Sequence, residues 1–160
     1  MFSFMRPKLS YHELLDSKLL SEDTFYDILV KDLNKCQSEA IIESPFITNR
    51  RVSQLFGILE KLKQRKVRVA INTRDPEDHD SEYMRCEARE AISTLQHMGV
   101  HVIFTENHHR KVVIIDRHIL YEGSLNVLSQ NNSREVMRRI ESTQLAWQMA
   151  KFVGIDKVLA

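Results

Sequence analysis

The chain has 160 residues, the usual size of one globular domain, and its 42% hydrophobic and 28% charged residues exclude an intrinsically disordered chain. With 23 basic against 22 acidic residues, the net charge of +1 excludes a nucleic-acid binder that relies on overall charge. The longest aliphatic run, over residues 112–115, is far shorter than the roughly 20 residues that span a bilayer.

The first predicted elements follow an N-terminal segment without clear periodicity. We expect residues 1–20 to form an arm, or a short helix over residues 11–20, ahead of a domain that covers residues 21–160. Ser21 is a typical N-cap residue, and the apolar residues after it recur at helical spacing. A helix is therefore predicted to begin at Ser21.

Strands and helices then alternate up to residue 104. The predicted strands are short, β-branched apolar runs, and the predicted helices carry apolar residues three and four positions apart. In order, we predict a strand over residues 40–44, a helix from Thr48 or Asn49, a strand over residues 67–72, a helix capped by Ser81 and ended by Gly99, and a strand over residues 100–104. This alternation is typical of crossovers between parallel strands.

The pattern changes in the last third of the chain. Residues 111–115 and 119–122 are predicted to form a hairpin, residues 136–140 a last strand, and the residues after Ser142 a final helix. No internal repeat or linker divides the chain. The sequence therefore predicts a single α/β domain with a mixed, largely parallel β-sheet flanked by helices on both faces.

The residues with the most chemical potential surround the predicted hairpin. His109 and Lys111 are two positions apart at the start of a strand, so they point to the same face. Asn126 follows the second hairpin strand and Glu135 begins the next. An imidazole can attack or exchange protons, a lysine and an amide can hold a phosphate, and a carboxylate can fix the imidazole tautomer. These are the parts of a phosphoryl-transfer site that needs no metal.

The spacing of these residues matches a known signature. His109-x-Lys111-x4-Asp116, followed by Gly123-Ser124-x-Asn126 and Glu135, resembles the motif of the phospholipase D-like superfamily. The segment Glu43-Ser44-Pro45-Phe46 and the strand–helix alternation resemble the N-terminal half of that family, so the resemblance covers residues 20–155. It implies a phospholipase D-like fold.

The resemblance also implies a role for each motif residue. His109 would be the nucleophile that forms a phosphohistidine, Lys111 and Asn126 would hold the phosphate oxygens, and Glu135 would orient the His109 ring. Asp116 would support the geometry of the motif. The expected catalytic residues are therefore His109, Lys111, Asp116, Asn126 and Glu135, and the expected substrate-binding residues are Lys111, Ser124, Asn126 and Arg134. The resemblance implies no metal ion and no cofactor.

The chain contains one copy of a motif that the family uses in pairs across a cleft. None of the other six histidines has a lysine two positions further on. A single motif in a domain of this size resembles the small bacterial nuclease branch, in which two chains build one site. We therefore expect an obligate homodimer, in which a two-fold axis places His109 opposite the partner's His109.

The function expected from this resemblance is a metal-independent phosphodiesterase, specifically an endonuclease that cleaves DNA or RNA through a phosphohistidine. One alternative is a phospholipid or other phosphodiester hydrolase, or a phosphatidyl transferase, with the same residues. Another is a nucleic-acid-binding module within a larger helicase or restriction assembly. The chain would then have a helicase or restriction protein as its partner.

Three further features complete the sequence-based expectations. The basic run from Lys61 to Arg68 could follow a phosphate backbone or simply form a solvated helix end, and Arg138 and Arg139 could join Arg134 in a nucleic-acid groove.

Two cysteines fifty positions apart indicate neither a disulfide framework nor a zinc site. The N-terminal residues show no signal-peptide pattern, so we expect a cytoplasmic protein that does not associate with membranes.

Overall fold

The computed structural model describes residues 16–159, which form a seven-stranded β-sheet with helices on both faces. The strands are β1 Ser17–Ser21, β2 Glu39–Glu43, β3 Arg68–Thr73, β4 His101–Phe104, β5 Val112–Ile115, β6 Ile119–Gly123 and β7 Val136–Glu141. The helices are α1 Phe25–Lys35, α2 Asn49–Gln64, α3 Glu82–His97, α4 Thr143–Val153 and α5 Asp156–Leu159, with a 3₁₀ turn at Pro76–Asp78.

Helix ends follow the predicted capping residues. The side chains of Thr48, Ser81 and Ser142 each accept a hydrogen bond from the backbone N–H three residues on, at the starts of α2, α3 and α4. Gly99 follows α3 with a φ of 83°, a left-handed conformation that glycine adopts without steric cost. These helix positions were predictable because caps act locally.

The sheet is mixed, as predicted, with the strand order β1-β7-β6-β5-β2-β3-β4. Parallel pairing is confined to β2 with β3 and β3 with β4. The other four pairs are antiparallel, so the expected predominance of parallel strands is not observed. The reason is that β5, β6 and β7 form a meander, and β5 enters the sheet antiparallel to β2.

Residues 17–21 form strand β1 rather than the arm or short helix that we expected. The strand pairs antiparallel with β7, and its side chains alternate between the buried Leu20 and the exposed Leu19. Helix α1 therefore begins at Phe25, after Thr24, instead of at Ser21. The local sequence carries no strand signal. The segment is extended because it pairs with the edge of β7. Residues 1–15 of the predicted arm lie outside the described residues.

The sheet separates two apolar layers. Helices α1, α2 and α3 cover one face, which we call the three-helix face, while α4 and Ile155 cover the other, the α4 face. In β5, Val113 and Ile115 pack on the three-helix face and Val112 and Ile114 on the α4 face, and all four are buried. A strand covered on both sides reads as an unbroken apolar run, which explains the sequence at this position.

The strand register brings the ends of most strands to one common edge. Val112, the first residue of β5, lies opposite Glu43 of β2 and Glu122 of β6. Glu43 in turn lies beside Asn72 near the end of β3. We call this edge, at the carboxyl ends of the parallel strands, the site edge, and the opposite edge the far edge. Ligands of open α/β sheets bind at the carboxyl ends of parallel strands.

A buried ion pair joins α1 to β7 on the three-helix face. Arg139 donates two hydrogen bonds to the carboxylate of Asp32, at 2.6 and 3.0 Å. The hydroxyl of the fully buried Tyr121 donates to the same carboxylate, and burial together with this carboxylate raises the pKa of Tyr121. Arg139 therefore belongs to the core. It does not line a nucleic-acid groove, the role that the sequence had left open.

Strands β6 and β7 approach each other closely at Gly123, at the site edge. A Cβ at this position would lie 2.2 Å from the carbonyl oxygen of Val136 and 2.9 Å from the Cα of Met137. Both atoms belong to the backbone, so they cannot move aside without disturbing the pairing. The glycine of the motif is therefore needed for the packing of two strands.

We predict that Gly123→Ala lowers the free energy of unfolding by about 1–3 kcal/mol, the usual cost of overpacking. Gly57→Ala is the matched control, because it lies inside α2 and a Cβ there meets nothing within 4 Å. The control should raise stability by about 0.5–1 kcal/mol through helix propensity. Urea unfolding of both variants measures the two effects, and equal stability of Gly123→Ala and the parent would contradict the close approach.

Candidate active site

His109 lies at the site edge, on the segment that leads from β4 into β5. Its side chain is exposed, and both ring nitrogens lie against the guanidinium of Arg74, with Nη2 3.2 Å from Nδ1 and 3.1 Å from Nε2. Arg74 directly follows the last residue of β3, and its Nε donates to the carbonyl of His108 at 3.0 Å. The imidazole is therefore in contact with a cation from a neighbouring strand.

Lys111 adds a second cation beside the same residue. Its Nζ donates to the carbonyl oxygen of His109 at 2.8 Å. Among residues 16–157, no carboxylate forms an ion pair with Lys111 or Arg74. His109 and Lys111 line an open pocket of about 470 Å³ together with Gly123 and Val136. Glu122 lines the same pocket, but no ion pair neutralises Lys111 or Arg74, so their charge can serve an anion site.

Arg110 lies between His109 and Lys111 in the sequence, but its guanidinium forms an ion pair with a buried carboxylate. It donates two hydrogen bonds to the fully buried carboxylate of Glu43, at 2.7 and 3.0 Å, and this pairing raises the pKa of Arg110. Glu43 also accepts from the amide of Asn72 at 2.9 Å, and the hydroxyl of Thr105 donates to Asn72 at 2.8 Å. The network ties the start of β5 to the ends of β2 and β3.

Ser124 and Asn126 leave the sheet at the same edge. The backbone N–H of Ser124 donates to the carbonyl of Val136, and its hydroxyl accepts from the N–H of Val136 at 3.1 Å, so Ser124 continues the pairing of β6 with β7. The backbone carbonyl of Asn126 accepts from Ser129 and Gln130. Its side-chain oxygen is buried and has no hydrogen-bond partner within the described part of the chain. The amide of Asn126 thus keeps an unused acceptor.

Glu135 and Arg134 lie just before β7, and neither contacts His109. The backbone N–H of Glu135 and the side chain of Arg134 both donate to the carboxylate of Glu22, at 3.0 and 3.1 Å, and lower its pKa. The side chain of Arg134 is 91% exposed. No hydrogen bond or ion pair joins the side chain of Glu135 to the His109 ring, which is hydrogen-bonded to Arg74.

Asp116 lies at the far edge, separated from His109 by the whole of β5. Its carboxylate accepts hydrogen bonds from the backbone N–H groups of Gln37, Ser38 and Glu39, at 2.8, 2.8 and 3.0 Å. The Ser38 hydroxyl and the Cys36 thiol also donate to it. Burial and the Asp116 charge raise the pKa of Cys36 to about 12, so the thiol keeps its proton. Asp116 thus holds the chain before β2 to the end of β5 and takes no part in a site at His109.

The basic run from Lys61 to Arg68 also lies away from His109. It spans the end of α2 and the start of β3, at the far edge. Arg65 donates to the carbonyls of Leu33 and Cys36, and Arg68 pairs with Glu39. Two of its cations therefore stabilise the fold.

Two residues at the site edge were not assigned a role from the sequence. Arg74 directly follows a buried strand that pairs in parallel with its neighbours. A cation after the carboxyl end of such a strand is the sequence signal that could have identified Arg74. Glu43 stood in a segment that resembled the family, but nothing local showed that it would pair with Arg110.

The described residues show neither a cluster of metal ligands nor a membrane-spanning helix. Within residues 16–159, no three His, Cys, Asp or Glu side chains are grouped so that they could hold a metal ion. In the same part of the chain, no helix is both long enough and apolar enough to cross a bilayer.

Comparison with known proteins identifies the family. The family profile described as "Cardiolipin synthase, PLD-like domain" matches residues 29–154. Curated proteins give no match by sequence.

Solved structures share the fold at low sequence identity. A phospholipase D family member, Nuc from Salmonella typhimurium, superposes with a TM-score of 0.67 at 16% identity, over 85% of this chain and 91% of that one. NucT from Helicobacter pylori gives 0.60 at 17% identity, with the same coverage. Polyphosphate kinase from Porphyromonas gingivalis gives 0.67 at 13% identity, over 90% of this chain but 26% of the kinase.

We predict that Asp116→Asn destabilises the protein in a pH-dependent way. Partial burial acts to raise the pKa of Asp116, but the hydrogen bonds from Gln37, Ser38 and Cys36 outweigh it and lower the pKa. A lowered pKa in the folded state stabilises the protein above the unfolded pKa, ~3.9 for aspartate, and this stabilisation is lost as the pH falls through the folded value. The variant should lose about 1–3 kcal/mol at pH 7.

Urea unfolding of the parent and Asp116→Asn at pH 7 and at pH 3 tests this prediction. The difference between them should shrink at the lower pH. The exposed Asp23 forms no hydrogen bond or ion pair found in the described structure, and Asp23→Asn should change little at either pH. A difference for Asp116→Asn that is the same at both pH values would contradict the proposed charge-assisted hydrogen bonds.

Proposed function

We propose that this chain, which belongs to the phospholipase D-like family, is a phosphodiesterase that cleaves nucleic acid with His109 as its nucleophile. The family acts on phosphodiester bonds, and the chain is coextensive with two of its structural neighbours, covering 91% of Nuc and 91% of NucT. The matched region makes up only 26% of the polyphosphate kinase, so most of that protein lies outside the shared fold. Fold alone does not set the substrate, so the proposal rests on the site.

The observation that carries the proposal is the exposed imidazole of His109, which contacts Arg74 on a residue whose carbonyl binds Lys111, two cations that form no ion pair with a carboxylate. The Lys111 ammonium lies 2.8 Å from the His109 carbonyl, and the Arg74 guanidinium contacts the ring. Positive charge fixed beside an accessible imidazole attracts a phosphate and stabilises the charge on its non-bridging oxygens. This arrangement supports nucleophilic attack on phosphorus.

The proposed reaction has two displacements at phosphorus. A ring nitrogen of His109 attacks and forms a P–N bond, while the bond from phosphorus to the leaving oxygen breaks and that oxygen takes a proton from the partner's His109. The partner's His109, now neutral, then removes a proton from a water molecule whose oxygen attacks phosphorus. The P–N bond breaks, and the free imidazole is restored. Lys111 and the amide of Asn126 hold the non-bridging oxygens throughout.

The second histidine of this scheme requires a homodimer. The exposed side chains of Leu19, which is 70% accessible, and Val136, which is 48% accessible, line the same pocket as His109 and Lys111. An apolar rim next to a catalytic group suits contact with a second copy of the chain. Light scattering coupled to an activity assay tests this point, and a fully active monomer would contradict it.

A phosphatidyl transferase is the second candidate, because the matching family profile is described as a cardiolipin synthase domain. The same histidine chemistry would then transfer a phosphatidyl group to an alcohol instead of water. Incubation with phosphatidylglycerol vesicles, followed by lipid analysis, separates this function from cleavage of oligonucleotides.

We predict that the protein cleaves labelled oligonucleotides in excess EDTA and that His109→Ala abolishes this cleavage. Loss of a nucleophile removes the covalent route, so activity should fall by at least about 10⁴-fold. His101→Ala is the matched control, because His101 is exposed on the outermost strand β4, beside Ala70 of β3, and it should cleave like the parent. Single- and double-stranded DNA and RNA should be tested side by side.

Two outcomes would contradict the prediction. Cleavage that persists in His109→Ala would assign the nucleophile elsewhere. Absence of cleavage by a dimeric parent sample would exclude the nuclease and favour the lipid substrate or a binding module.

A further inference from the structure

Arg74 contacts the nucleophile but stands outside the motif that defines the family. We propose that Arg74 is a further catalytic residue, whose guanidinium binds the scissile phosphate beside the His109 ring. This inference rests on the proposed function, because it places the phosphate of that reaction.

The side chain of Arg74 is held in place before any substrate arrives. It starts from the carboxyl end of β3, directly after the fully buried Thr73. Its Nε donates to the carbonyl of His108 at 3.0 Å, and its Cζ lies 5.0 Å from the centre of the Phe46 ring. A guanidinium fixed by a hydrogen bond and an aromatic face loses little freedom when it binds an oxyanion.

The charge of Arg74 is available for a ligand. Asp78 and Glu106 line the same pocket of about 500 Å³ as Arg74 and His109 and would repel an anion, yet neither forms an ion pair with Arg74. Arg110, by contrast, is neutralised by Glu43. Within the described residues, Nη1 of Arg74 has no hydrogen-bond partner and Nη2 has only the His109 ring. These donors remain for phosphate oxygens.

The contact between Arg74 and His109 also indicates where the phosphate would lie. A guanidinium can only donate, and a neutral imidazole has one nitrogen with a free lone pair, so that nitrogen is the acceptor. An arriving phosphate oxygen would replace the nitrogen as the acceptor for Nη2. The exchange brings phosphorus next to the lone pair that attacks it. The same donors then stabilise the charge on the equatorial oxygens in the transition state.

Two measurements on Arg74→Ala test the proposal. Calorimetric titration with inorganic tungstate, a phosphate mimic, should show affinity lowered by about tenfold or more, as expected for one lost charge-assisted hydrogen bond. The kcat for bis(p-nitrophenyl) phosphate should fall by about 100-fold, and millimolar guanidinium ion should restore part of it. Guanidinium should not rescue His109→Ala. Arg74→Lys, which keeps the charge without the planar donors, should fall between the parent and Arg74→Ala.

Arg89→Ala is the matched control, because Arg89 is bound by Glu77 and Glu82 on the surface of α3, and it should leave both readouts unchanged. Unchanged tungstate affinity in Arg74→Ala would overturn the proposal, as would a loss of activity that guanidinium does not restore. If the parent hydrolyses no diester but binds tungstate through Arg74, the proposed function fails while the anion site remains.

Discussion

The antiparallel pairing of β5 with β2, in the middle of the sheet, determines where the candidate site forms. Val112–Ile115 is buried on both faces, and its register on β2 places Val112 opposite Glu43. The strand is fastened at both ends. Asp116 accepts three backbone N–H groups from the segment before β2, and Arg110 donates two hydrogen bonds to Glu43. A shift by one residue would turn His109 and Lys111 to the opposite face and break both connections.

The basic side chains of this fold serve two different purposes. Arg110 and Arg139 form ion pairs with the buried carboxylates of Glu43 and Asp32, and removal of either arginine would leave a buried carboxylate without its cation. Arg74 and Lys111 have no such partner; Arg74 contacts the exposed imidazole of His109, and Lys111 binds the carbonyl of the same residue. The fold thus separates structural charge from charge that a substrate can use. Because of this separation, a chain of nearly zero net charge presents cations without an ion-pair partner at the candidate site.

Much of this arrangement could be predicted from the sequence, because its causes are local. Caps at Thr48, Ser81 and Ser142 fixed helix starts, and alternation of side chains placed His109 and Lys111 together. Strand β1 could not be predicted, since it exists only through pairing with β7. The antiparallel entry of β5 is likewise set by distant pairing.

Some contacts of the site residues could likewise be predicted from the sequence, and others could not. Spacing selected His109, Lys111 and Asn126 as candidate site residues, and the family resemblance predicted a supporting role for Asp116. Spacing could not show that Glu135 stays apart from the imidazole or that Arg74 meets it. That contact joins residues 35 positions apart and depends on the ends of β3 and β5 lying on one edge.

Covalent attachment of His109 to phosphorus during turnover is the central step of the proposed reaction. Rapid alkaline quenching of the protein with a labelled oligonucleotide, followed by mass spectrometry of the peptides, measures this directly, since phosphohistidine is stable in base and lost in acid. We predict a nucleotide adduct on His109 that forms and decays within the turnover time and is absent from His109→Ala. Turnover without an adduct, or an adduct on another residue, would contradict it.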